Sequence, residues 1–144
     1  MRRSISPVIL VAAWLAAATP INARSAVGDD NASFTSQSVP ESVAAGARIS
    51  VSLTFRNTGA TSWTVSGGYV LGSPNPANSG TWQTSSVGLP STVEPGSTVT
   101  FSFKVSAPSS PGIYDFEWQL EHGTTFFGAK STNVSVKVVA PPAS

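Results

Sequence analysis

The 144-residue sequence contains no cysteine. Disulfide staples, thiolate metal sites and thiol nucleophiles are thereby excluded, and so is an anchor through a lipidated cysteine. Charge is also scarce: Asp, Glu, Lys and Arg make up 10% of the residues, the formal net charge is +1, and no basic run occurs. A nucleic-acid tract is excluded, and electrostatics alone names no partner. No segment keeps a 3.6-residue apolar period over three turns, so helices are not expected. The longest apolar run, VILVAAWLAAA at 8–18, is shorter than the roughly 20 residues that span a bilayer.

That short run has a different use. Arg2 and Arg3 precede it, Pro20 ends it, and INA at 21–23 offers a small residue for cleavage at Ala23. This is the pattern of a cleavable secretory signal over 1–23, which predicts a secreted or periplasmic protein with no membrane span after cleavage. Without Arg2 and Arg3, six basic residues face seven acidic ones, a net charge of −1. An exported chain without disulfides must rest on its core, and about 120 residues bury one that suffices.

The remaining chain alternates. Ile49, Val51, Leu53 and Phe55 are interleaved with Ser50, Ser52, Thr54 and Arg56; Val99, Phe101, Phe103 and Val105 with Thr98, Thr100, Ser102 and Lys104. Tyr114, Phe116, Trp118 and Leu120 repeat the pattern, and Val134, Val136 and Val138 close it. Period-two alternation denotes strands with one buried face. Asn57-Thr58-Gly59, Gly67-Gly68, Pro95-Gly96, Pro111-Gly112 and His122-Gly123 punctuate the runs as turns. The expected fold is all-β, an immunoglobulin-like antiparallel β-sandwich of about seven strands, with a closed barrel as the alternative. The domain is expected at 33–139, after a flexible mature start at 24–32 and before a disordered tail at 140–144.

The expected core comprises Trp63, Trp118, Tyr114, Phe101, Phe103 and Phe116. Tyr114 stands at the start of its strand, where such sandwiches place a tyrosine whose hydroxyl bonds the backbone just upstream. Trp118 can replace a missing inter-sheet disulfide: burying about 150–250 Å² of indole at about 25 cal/mol per Å² contributes roughly 4–6 kcal/mol, against about 2–4 for a disulfide.

Catalytic and metal chemistry find little purchase. The one histidine, His122, falls in the turn EHG, and no serine occupies a nucleophile elbow, so no positioned triad is expected. Asp115 and Glu117 stand about 6–7 Å apart by strand rise, which overlaps the spacing of inverting glycosidases. They project side by side from a solvated face, however, where pairing with Lys104, Lys137 or Arg56 is the plainer role. Asp29, Asp30 and Asn31 cluster oxygens without the shaped loop that calcium demands. No catalytic residue, metal or cofactor is expected.

The candidate ligand contacts are aromatic. Trp82 lies in a polar segment, GSPNPANSGTWQTSS at 72–86, outside any alternation. It either folds back as a lid or, with Tyr69, faces outward to stack on a sugar ring or seat in a partner's pocket.

RNTGATSW at 56–63, GGYVLGSPNP at 67–76, TW at 81–82, LPSTVEPGSTVTFSFKVSAPSSPGIYDFEWQL at 89–120 and FFG at 126–128, in this order and spacing, resemble the NBR1-like FW (four-tryptophan) immunoglobulin-like domain in its exported bacterial form. Trp63 and Trp118 fall where that family has tryptophan, whereas Leu53 and Thr132 stand where the eukaryotic pattern has its first and last; Trp82 is similar to one common in bacteria. The resemblance implies a non-enzymatic module. In eukaryotic autophagy receptors the domain is implicated in protein recognition; in bacteria it is similar to accessory modules of secreted proteins, sometimes beside glycoside hydrolases. The reading is an exported module that recognises or assembles with a protein at the cell envelope or outside the cell. The alternative is a carbohydrate-binding module contacting polysaccharide through Trp82 and Tyr69. An open edge strand would favour protein; exposed coplanar rings would favour sugar.

Overall fold

In a computed structural model, residues 29–74 and 80–141 are described. The expected export signal at 1–23 and the last three residues of the expected tail lie outside them. Ten strands run in chain order: β1 (Ala32–Ser38), β2 (Ser42–Ala44), β3 (Arg48–Asn57), β4 (Tyr69–Gly72), β5 (Ser86–Gly88), β6 (Thr98–Ser106), β7 (Gly112–Phe116), β8 (Gln119–His122), β9 (Thr125–Phe127) and β10 (Val134–Val139). They hydrogen-bond in three groups, β1-β3-β6, β2-β10-β7 and β5-β4-β8-β9. Because β7 runs on into β8 and β9 is followed by β10, the last two groups form one layer of a β-sandwich, and β1-β3-β6 forms the other.

The sandwich exceeds the expected seven strands in part because one long run is interrupted. The alternation from Tyr114 to Leu120, expected as one strand, breaks at Glu117 and Trp118. Ser131 is the cause. Its hydroxyl accepts the Trp118 N–H at 2.9 Å, and its own N–H donates to the Trp118 carbonyl at 2.8 Å. These bonds replace regular ladder pairing at the junction, so β7 pairs with β10 while β8 pairs with β4 and β9.

Between the layers, Leu53, Phe55, Trp63, Leu71, Leu120 and Val136 are fully buried. Phe101, Phe116 and Trp118 are each 1% exposed. Phe103 and Tyr114 are only partly buried, Phe103 on the edge strand β6 and Tyr114 because its hydroxyl reaches the Ser110 carbonyl at 2.8 Å. That bond is the upstream backbone contact expected of this tyrosine. Phe103 meets Trp118 edge-on with centroids 5.2 Å apart.

The stretch NTGATSW closes one end of the sandwich. Asn57 has no exposed surface, yet its polar atoms are matched: Nδ2 donates to the Thr61 and Val93 carbonyls at 2.9 and 3.0 Å, and Oδ1 accepts from the Gly59 N–H at 3.0 Å. Such full pairing is what a buried amide requires. The turn it holds delivers Trp63 into a two-bond bridge with Val93.

Candidate functional site

Both candidate ligand contacts are buried, which corrects the outward-facing alternative. Trp82 is 3% exposed and Tyr69 4%. The Trp82 indole lies edge-on to Phe116 at 5.6 Å and Tyr114 at 6.5 Å, and its Nε1 donates to the Asp115 carbonyl at 2.9 Å. The chain turns it inward through Gln83, whose φ of 63° is uncommon for a non-glycine residue. The physical reason is the brevity of β4. It leaves the sheet's pairing at Gly72, so among the described residues the edge of β7 that points away from β10 has no neighbouring strand, and Trp82 reaches it through the Asp115 carbonyl. The lid is what the structure contains.

Tyr69 sits elsewhere, in a cluster that ties the start of the domain to the opposite layer. Its hydroxyl donates to Asp30 Oδ1 at 2.7 Å, its ring stacks on His122 at 4.0 Å, and His122 Nδ1 meets Asp30 Oδ2 at 2.7 Å. Burial, then the Asp30 acceptor, then the negative charges of Asp30 and Asp29 push the Tyr69 hydroxyl well above its ordinary pKa. His122, expected as a solvated turn residue, has a side chain 41% exposed but engaged as a partner of Asp30. The flexible start expected through residue 32 is likewise corrected for 29–32: the Asp29 carbonyl accepts from Ala60, the Asn31 carbonyl from Thr58, and Ala32 opens β1. A Cβ at Gly59 would overlap the Asp29 carbonyl, so only glycine permits this approach.

Among the described residues Glu117 forms none of the expected ion pairs with Lys104, Lys137 or Arg56, and the ion pair found joins His122 and Asp30. Asp115 Oδ1 accepts from Asn133 Nδ2 at 3.0 Å, and β7 lies in the layer opposite Lys104 and Arg56. Among the described residues no three His, Asp or Glu side chains gather as a metal site, Asp29 and Asp30 included.

What remains is a feature of the backbone. Strand β6 is the margin of its sheet and pairs with β3 in unbroken register from Arg48↔Ser106 to Arg56↔Thr98. Asn57 N–H donates to the Ser97 carbonyl at 2.9 Å and Ala107 N–H to the Ala47 carbonyl at 2.8 Å, which assigns the odd-numbered residues of β6 to the β3 ladder. In an antiparallel pair the N–H and C=O of one residue point the same way and successive residues alternate. The N–H and C=O groups of Thr98, Thr100, Ser102 and Lys104 therefore point away from β3. Ser106, next in that series, donates to the Trp82 carbonyl at 3.0 Å, which marks the same direction and caps that end. Between described residues the other outward groups have no partner. The preceding segment, LPSTVEPGS at 89–97, adds no neighbouring strand, because its one bridge goes to Trp63.

An all-β sandwich of these strands is an immunoglobulin-like domain. The family model described as "Ig-like domain from next to BRCA1 gene" matches residues 38–140, and the chain belongs to that family, the Ig-like domain of NBR1. The family suggests a protein-interaction module, and its Ig-like domains are typically non-catalytic. No curated protein matches the chain. No helix among the described residues is long and apolar enough to cross a membrane.

Proposed function

We propose that this protein is an exported, non-enzymatic module that recognises a protein partner at the cell envelope or outside the cell, by accepting an extended segment along β6. The carrying observation is the bare margin of β6, regular over nine residue pairs with β3. A strand presenting a row of unpaired N–H and C=O groups is a template for another chain, and strand addition is a recurrent mode of peptide recognition. The signal pattern at 1–23 supports export to the periplasm or beyond. The carbohydrate-binding alternative depended on Trp82 and Tyr69 facing outward, and both rings are buried.

The test uses Thr100→Pro. Its N–H points outward, so proline removes no backbone bond to β3, only the hydroxyl contact with Thr54, while blocking a docked strand. Backbone amide shifts of labelled protein, titrated with a panel of extended peptides, are expected to move along Thr98–Ser106 in the parent and not in the variant. Peptide binding that Thr100→Pro leaves unchanged would reject the β6 margin as the site. Amino-terminal sequencing of the exported protein is expected to begin at Arg24.

A further inference from the structure

The margin of β6 carries chemical information on both of its sides. No Asp or Glu occurs in β1, β3 or β6, whereas Arg48, Arg56 and Lys104 all lie exposed there. By register, the even-numbered residues of β3 and β6 share the solvated face, so these three cations stand among serines and threonines alone. The seven acids lie outside these strands: Asp115 and Glu117 in the other layer, Glu121 buried in β8, Asp30 occupied by Tyr69 and His122, Asp29 beside it, Glu41 just before β2, and Glu94 in the segment ahead of β6, where it accepts from the Ser62 hydroxyl. Lys104 belongs to the bare margin itself. Its Nζ donates to Ser50 Oγ at 3.0 Å, which holds the charge over the sheet face beside a shallow depression of about 240 Å³ lined in part by Ser50 and Ser102. On the inner side, Val99, Phe101 and Val105 are buried while Phe103 is only partly covered.

From this arrangement we infer that the partner segment is an acidic amphipathic strand, with carboxylates alternating with apolar residues. The inference rests on the strand-addition reading and names the chemistry of what is added. A strand paired to β6 places alternate side chains on the two faces. Those on the solvated face lie beside Lys104 and within reach of the field of Arg48 and Arg56, on strands that themselves carry no carboxylate. Those on the other side cover the exposed part of Phe103. Directly opposed unlike charges stabilise a strand pair and like charges destabilise it, and a surface of one sign rejects partners of the same sign.

The experiment compares three synthetic peptides with the same apolar positions and with Glu, Ser or Lys at the alternating ones, by fluorescence anisotropy against the protein carrying residues 24–144. The Glu peptide is expected to bind about tenfold more tightly than the Ser peptide, with the difference shrinking as salt is raised, and the Lys peptide to bind least. Lys104→Glu is expected to reverse the order of the Glu and Lys peptides, and Thr100→Pro to remove binding of all three. If the three bind alike and Thr100→Pro still abolishes binding, the acidic character is overturned while strand addition stands. If no peptide binds, or if a polyanion such as polygalacturonate binds and Thr100→Pro does not affect it, strand addition falls and the inference with it.

Discussion

The two margins of the β1-β3-β6 sheet are built from similar residues and treated in opposite ways. Strand β1 is interrupted by a register shift between Phe34 and Ser36, and its flank is tied down repeatedly. Ala129 N–H donates to the Ala32 carbonyl at 2.9 Å, Gln37 Nε2 to the Thr132 carbonyl at 2.9 Å, and Asp30 is held by Tyr69 and His122. Strand β6 has no register shift and no proline, and among the described residues only its last residue, Ser106, is capped on the outward side. Bulges, covers and short lengths are the usual protections of a sheet margin. The protein applies them to β1 and withholds them from β6, which points to use of the second margin.

Hydrogen exchange gives the largest expected contrast. Amides of Val99, Phe101, Phe103 and Val105 belong to the β3 ladder and are expected to exchange orders of magnitude more slowly than those of Thr98, Thr100, Ser102 and Lys104. Uniform protection along β6 in a monomer would mean that the margin is covered. Next come the indoles that close the sandwich. Trp82→Ala removes the lid that joins the end of β6 to β7, and Trp63→Ala removes the plug bridged to Val93; each is expected to cost about 3–5 kcal/mol in a denaturant titration. A Trp82→Ala protein that unfolded at the parent's midpoint would show that β7 needs no cover.

Smaller effects test how β1 is fastened. Gly128 has φ 74°, and a Cβ there would stand 2.7 Å from Ala32 Cβ, so Gly128→Ala is expected to cost about 1–3 kcal/mol and loosen β1 before β6. Proteolysis that began at β6 instead would contradict this order. Tyr69 adds a pH dependence. Its folded pKa lies above the unfolded value of about 10, so its contribution is complete below that pH and is lost as pH rises through the folded value. Stability is therefore expected to fall with pH above about 10, and Tyr69→Phe to flatten that fall. The smallest stability change belongs to Thr100→Pro, expected at about 1 kcal/mol, since no backbone bond to β3 is removed and the loss is the hydroxyl contact of Thr100 with Thr54 at 2.8 Å.

Most of the fold was legible because its signals are local. The alternation of Ile49–Phe55 and Val99–Val105 names the inner and outer faces of β3 and β6 residue by residue, and Tyr114 announced its bond to Ser110 by its place after Pro111-Gly112. The candidate site was less legible. Trp82 stands in a polar loop, and only the uncovered flank of β7 explains why it turns inward. The cluster of Asp30, Tyr69 and His122 joins residues too far apart in sequence for spacing to reveal. A signal for the bare margin did exist: LPSTVEPGS has two prolines, a glycine and no alternation, so it offers no strand to cover β6.

By itself, then, the sequence determined a cysteine-free all-β sandwich and the faces of its strands, because alternation and turn chemistry act over a few residues. The tertiary structure alone decided which indoles are buried, which strand margin is sealed and which is bare. Those outcomes depend on whether a distant segment arrives to satisfy a backbone group or an aromatic face. For β1 and β7 one arrives; along Thr98–Lys104 of β6, among the described residues, none does.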